Sequence, residues 1–135
     1  MIFLDTSAIY ALADAADANH RKAREHFRAV LEEGETLLTH NYVLVECMAL
    51  LQRRLGVAAA IRFARDAEAF DVVWVDESTH GDAVARLEKN GRRGPSLVDA
   101  VSFLVMRKRG IRTALAFDPD FVAAGFRLYE MSGSD

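Results

Sequence analysis

Four acidic residues stand where solvation of the surface does not account for them. Glu46 lies inside Tyr42-Val-Leu-Val-Glu-Cys-Met-Ala-Leu-Leu51. On a helix its neighbours three and four residues away are Tyr42, Val43, Ala49 and Leu50, so the pattern gives its carboxylate no wet face. Asp99 lies inside Leu97-Val-Asp-Ala-Val101, with Pro95, Ser96, Ser102 and Phe103 in the corresponding places. Burying a carboxylate is costly unless it is neutralised, paired or bound to a cation. Asp5 and Asp118 each follow a short apolar run and precede a helix-forming one. Such a place suits a helix N-cap. It is also the carboxyl end of a strand, where open α/β sheets bind ligands. Taken singly, each acid has a structural explanation: Asp5 and Asp118 as caps, Glu46 paired with a buried Arg, Asp99 satisfied by Ser96 or Ser102. Taken together, four carboxylates with no Cys or His cluster form an all-oxygen donor set, which suits Mg²⁺ or Mn²⁺ and not zinc.

The remaining polar residues offer less. His20, His26, His40 and His80 are scattered and make no Ser/His/Asp pattern. Thr6 and Ser7 follow Asp5 without a local general base, so Ser7 reads as a cap or as a hydroxyl that orients water or a carboxylate. The lone Cys47 and Trp74, both in apolar runs, read as core. The other acids, such as Asp14, Asp17, Glu32, Glu33 and Glu35, fall on polar faces or helix ends. Arg92-Arg93, flanked by glycines just before the Asp99 segment, could hold phosphates beside an acidic site. Arg53-Arg54 and Arg107-Lys-Arg109 read better as helix ends complementing the dipole.

Punctuation along the chain supplies the elements that must position these groups. Ile2–Leu4 forms a strand, followed by a turn and a helix over Ala8–Ala13. Asp17 can cap a helix in which Ala23, Phe27, Val30 and Leu31 recur at helical spacing up to Gly34. A strand at Thr36–Thr39 leads to a helix from Tyr42 to Leu55 capped by Asn41, then a helix from Val57 to Phe70 and a strand at Val72–Val75. Ser78 opens a helix that fades at Asn90-Gly91, and Ser96 opens another that runs to Lys108 before Gly110. Thr113–Phe117 and Phe126–Tyr129 are strands on either side of a one-turn helix at Asp118–Phe121. Five strands alternating with helices imply crossover connections, hence a three-layer α/β/α sandwich around a mostly parallel sheet.

The chain has 135 residues, 51% hydrophobic and 27% charged, and reads as one domain over residues 1–135. Its net charge of −3 excludes a protein that holds nucleic acid by blanket positive charge, though not an enzyme that acts on it. The longest apolar stretch falls short of a membrane span and the start lacks a basic segment before its apolar one, so the expected setting is the cytoplasm.

Ile2-Phe-Leu-Asp5-Thr-Ser7, Glu46 in an apolar helix, Ser96-Leu-Val-Asp99-Ala100 and Leu115-Ala-Phe-Asp118-Pro-Asp-Phe121 together resemble the PIN domain, and more closely the VapC toxins of type II toxin–antitoxin pairs. The resemblance spans the chain, with the motifs in the expected order. It implies a parallel sheet of order 3-2-1-4-5, which sets the first and fourth strands side by side. It also implies a Mg²⁺- or Mn²⁺-dependent endoribonuclease that leaves 5′-phosphate and 3′-hydroxyl ends. Asp5, Glu46, Asp99 and Asp118 would be the acidic quartet, with Asp120 accompanying Asp118 and the hydroxyls of Thr6, Ser7 and Ser96 in support. The partners implied are RNA, a small antitoxin whose C-terminal segment enters the acidic groove, and a second copy of the chain. One departure stands out: many relatives carry Thr or Ser two residues before the last motif acid, where this chain has Ala116. Two other readings compete. One is a non-catalytic binding or assembly module of the same fold. The other is an aspartate-based phosphotransfer enzyme, which Asp5-Thr-Ser7 fits poorly because the second Asp such phosphatases use is missing.

Overall fold

The computed structural model describes residues 1–131. Its elements are β1 (Ile2–Leu4), α1 (Thr6–Ala13), α2 (His20–Glu32), β2 (Leu37–His40), α3 (Asn41–Leu55), α4 (Val57–Asp66), β3 (Asp71–Val73), α5 (Glu77–Asn90), α6 (Leu97–Arg109), β4 (Thr113–Leu115), α7 (Asp120–Ala123) and β5 (Arg127–Leu128). Single 3₁₀ turns occupy Ala67–Ala69 and Gly91–Arg93. Among the described residues the strands form one sheet of order β3-β2-β1-β4-β5, parallel at every pairing. The expected architecture and strand order are both present.

The topology follows from burial. β1 and β2 are buried along their whole length, as a sheet covered on both faces requires. Right-handed crossovers put α1 to α4 on one face, because β1, β2 and β3 step successively one way, and α5 to α7 on the other, because β4 and β5 step back. Phe3, Leu4, Leu38, Val43, Leu51, Met106, Leu115 and Phe121 are fully buried between the layers. The order reverses between β1 and β4, which pair through Phe3↔Ala114 and Leu4↔Leu115, so the crevice at the top of the sheet opens above their carboxyl ends.

Several local expectations are corrected. α3 is capped by His40, whose Nδ1 accepts from the Val43 N–H at 3.3 Å, and not by Asn41. Asn41 Oδ1 instead accepts from the Val75 N–H at 2.7 Å and ties the helix to the end of β3. Asp76 caps α5, so that helix opens at Glu77 and not at Ser78. α2 begins at His20, and Asp17 serves the turn before it by accepting from the Asn19 N–H. Within α2, His26 takes the core place expected for Leu31, which is exposed; the imidazole is sandwiched between Phe117 and Tyr129. Trp74 is 73% exposed at the carboxyl end of the edge strand β3. No third layer covers that edge, so an apolar residue there has no core to enter.

Candidate functional site

Asp5 directly follows β1 and is 3% exposed. Its backbone N–H completes the β1–β4 pairing by donating to Leu115 O, which fixes the residue at the switch point. Its Oδ2 accepts from the Ser7 N–H at 3.1 Å and from the Ser7 hydroxyl at 2.6 Å, so Asp5 is also the cap of α1. The two readings of Asp5 are therefore compatible: one oxygen caps, and the carboxylate as a whole remains at the crevice. Ser7 Oγ in turn accepts from the Phe117 N–H at 2.9 Å, so one hydroxyl stitches the ends of β1 and β4 together. Thr6 Oγ1, by contrast, is buried with no hydrogen-bond partner, and it lends no hydroxyl to a carboxylate.

Asp99 sits in the first turn of α6, three residues after the cap Ser96, whose Oγ accepts from the Asp99 N–H. Ser102 does not serve the Asp99 carboxylate: its hydroxyl donates to Val98 O and faces His40. Asp118 closes the loop after β4, and its Oδ1 accepts from the Asp120 N–H at 2.9 Å. These turns bring carboxylate oxygens of Asp99, Asp118 and Asp120 within 4.8 Å of one another. Glu46, on the middle of α3, is half-buried, with exposed Val45 and Ala49 beside it. α3 therefore has an open apolar flank, and the expectation that Glu46 lacks a wet neighbourhood is corrected.

The electrostatics tie the acids into one group. Asp99 is pushed up to about 7, chiefly by burial and then by the negative charges of Asp5, Asp118 and Glu46. Asp5 is raised as well, mainly by burial, with the Asp118 charge adding to it and the Ser7 bonds opposing it. No Lys or Arg pairs with any of these acids among the described residues. Beneath them the Cys47 thiol is pushed up to about 12 by burial and by the charges of Asp5 and Glu46, which makes it the inert core residue expected. All-oxygen donors at this spacing, held in mutual repulsion, fit a hard divalent cation.

Some neighbours of the site are not legible in spacing. His40 is fully buried at the end of β2, and burial lowers it to about 4. Because Nδ1 accepts from Val43, Nε2 carries the proton and donates to Ser102 Oγ at 2.8 Å, which links the start of α3 to α6. Arg92 and Arg93 are exposed on the 3₁₀ turn before α6, at the margin expected of them.

The PIN domain family matches residues 2–127 of this chain. The chain belongs to that family. It is 43% identical over 128 residues to the 23S rRNA-specific endonuclease VapC20 of Mycobacterium tuberculosis, in strains CDC 1551 and H37Rv alike, covering 93% of this chain and 95% of the relative. The crystal structure of M. tuberculosis VapC20, described as a sarcin–ricin loop cleaving toxin, superposes with a TM-score of 0.82 at 41% identity, over 93% of this chain and 96% of that one. The strand order seen here is thus that of a solved PIN-domain toxin. Among the described residues no helix is long and apolar enough to cross a membrane.

Proposed function

We propose that this PIN-domain chain is a Mg²⁺- or Mn²⁺-dependent endoribonuclease and the toxin of a toxin–antitoxin pair, acting at a structured loop of 23S ribosomal RNA. The observation that carries the reading is the convergence of Asp5, Asp99, Asp118 and Asp120 on the β1/β4 switch point with no protein cation to neutralise them. The target follows from the 43% identity with a 23S rRNA-specific endonuclease over nearly the whole chain.

Asp99, Asp118 and Asp5 would hold the cation, with Asp120 and Glu46 completing the acidic surround. When bound, such a cation makes water a competent nucleophile near neutral pH and stabilises charge on the leaving oxygen. The chain's own groups do the positioning. Ser7 Oγ spends its proton on Asp5 Oδ2, which turns the carboxylate towards the crevice and leaves its second oxygen to the ligand. Ser96 fixes the first turn of α6 and with it the direction of Asp99. Without a cation Asp99 holds a proton up to about pH 7, so loading the site displaces that proton. Arg92 and Arg93 flank the acids and would take phosphates on either side of the cut.

For partners, the reading implies RNA, an antitoxin and a second copy of the chain. Val45, Leu55, Val57 and Ile61 are exposed on α3 and α4 and would supply the apolar part of a protein interface. The deciding experiment incubates a sarcin–ricin loop RNA with the purified chain in Mg²⁺ or Mn²⁺, in EDTA, and as Asp5→Ala and Asp99→Ala. Cleavage only by the unsubstituted chain with metal is expected. Equal cleavage by Asp99→Ala would sink the acidic site, and no cleavage of any RNA would leave a binding module of the same fold.

A further inference from the structure

A cavity of about 280 Å³ lies between α5, α6 and α7, and its lining combines features that the acidic rim does not use. Arg86 and Asn90 project into it from α5 and Phe103 and Arg107 from α6, each pair one helical turn apart, so two facing helices present matched one-turn pairs. Arg93 joins them from the 3₁₀ turn, and Asp120 closes the end nearest the acidic trio to which it also belongs. None of the three arginines makes an ion pair among the described residues. Arg86 and Arg93 form no hydrogen bond, while the Arg107 guanidinium donates to Ala124 O at 3.0 Å and lies over the Phe126 ring at 5.2 Å. Arg107 is therefore held in one orientation with most of its donors unspent. Phe103 forms an apolar floor, braced edge-on by Phe121.

An arginine stays protonated at any ordinary pH, so three of them against one carboxylate demand an anionic occupant. The floor asks in addition for a flat, partly apolar body. The volume lies at the low end of ligand pockets, about 300–1,000 Å³, which fits one small residue of a chain and excludes a folded element. A nucleotide has these properties together: a phosphate for the guanidiniums and a base that stacks on aromatic or arginine planes and bonds to an amide.

The geometry points to a nucleotide subsite in this Arg86–Arg93–Arg107 cavity, which seats one residue of the RNA strand next to the acidic rim. The subsite rests on the ribonuclease reading above for the identity of its ligand and extends it from the place of cutting to the place of holding. Because Asp120 belongs to both, the seated nucleotide lies immediately beside the position where the strand would be cut.

The test is binding, measured without turnover. A fluorescein-labelled sarcin–ricin loop RNA is titrated with the full-length Asp99→Asn chain, alone and with Arg86→Ala, Arg107→Ala or both, over a range of KCl concentrations. The double substitution should weaken binding roughly 10- to 100-fold and lower the slope of log K against log salt by about 1.4, from about 0.7 for each lost single-strand phosphate contact. Calorimetric Mn²⁺ affinity, measured on the same arginine substitutions with Asp99 intact, should not change. Arg107 also anchors α6 to α7, so Arg86→Glu is the variant that stays readable if Arg107→Ala fails to fold, and it should weaken binding at least as much as Arg86→Ala. Unchanged RNA affinity and salt slope overturn the subsite. So does a loss of affinity accompanied by loss of Mn²⁺ binding, which would mean that the arginines act by holding the rim in shape. Binding of a poly-glutamate peptide that depends on these arginines while RNA binding does not would give the cavity to a protein partner and likewise overturn it. Failure of the native chain to cut RNA would defeat the nuclease reading while leaving these affinities to judge the subsite.

Discussion

Two polar clusters lie along α6 within one turn of each other, and they are resolved in opposite ways. In the first, His40 is buried with both ring nitrogens satisfied, by the Val43 N–H and by Ser102, and Ser102 passes its proton bond on to Val98 O. In the second, Asp99 stands among Asp5, Asp118 and Glu46 with burial and like charge both raising it and no cation beside it. A satisfied network rigidifies and serves the fold. An unsatisfied one costs stability and persists at a site that binds something else. The difference assigns structure to one cluster and ligand binding to the other, and it can be broken from either side.

The largest effect is expected from Asp99→Ala. Cleavage of the sarcin–ricin loop RNA should fall on the order of 10³-fold, while thermal melts in EDTA at pH 8 should show equal or higher stability, because a buried like charge has been removed. A melting temperature lowered along with activity would place Asp99 with the structural cluster instead. His40→Ala should do the reverse. It leaves a cavity, an unpaired Val43 N–H and an unpaired Ser102, and should cost about 3 kcal/mol in urea unfolding. Mn²⁺ affinity per folded molecule should be retained.

The two clusters also impose opposite pH slopes on the metal-free chain. Asp99 has a folded value near 7 against 3.8 for the free side chain, so the folded state holds the extra proton and stability declines as pH rises from about 4 to about 7. His40 has a folded value near 4 against 6.5, so the unfolded state takes the proton and stability declines as pH falls from about 6.5 to about 4. Melts in EDTA should therefore peak between the two limits. Asp99→Asn should flatten the decline on the alkaline side, and Mn²⁺ should reverse it above pH 7. A profile unchanged by Asp99→Asn would show that its carboxyl does not carry the strain.

How much of this was legible in the sequence differs by residue, and for physical reasons. Asp5, Asp99 and Asp118 announce themselves because each carboxylate interrupts or ends an apolar run, and the strand–helix alternation leaves few places for them to meet. The order 3-2-1-4-5 came from family resemblance, since strand spacing alone does not decide which strands pair. Glu46 and Trp74 were misjudged by the same inference. An apolar neighbourhood in sequence says that residues are apolar, not that another layer covers them, and both the α3 flank and the β3 edge lie open. Asn41 was read as a cap because local chemistry favours Asn, but His40 next to it was drawn into that place by Ser102, 62 residues away. Likewise Arg86 and Arg107 look like ordinary ends of exposed helices until α5 and α6 pack and turn them into one cavity.

Ser7 and Ala116 offer the finest test, because they lie on the boundary between the clusters. Ser7→Ala removes the bond to Asp5 Oδ2 and the acceptor for the Phe117 N–H together. It should cost about 1–2 kcal/mol in unfolding and reduce cleavage roughly 10-fold through a less directed Asp5. Ala116, 5% exposed, sits next to Phe117 where relatives carry a hydroxyl. Since Ser7 already supplies a hydroxyl that bridges β1 and β4, Ala116→Ser should alter cleavage by less than about threefold, with the buried hydroxyl costing no more than about 1 kcal/mol if it finds an acceptor. The double substitution separates the two hydroxyls. If either can direct the rim, Ala116→Ser restores part of the activity lost in Ser7→Ala, and the two effects are strongly non-additive. If the effects add, the Ser7 hydroxyl acts through its bond to Asp5 alone, and the absence of a hydroxyl at 116 has no bearing on how this chain orients its acids.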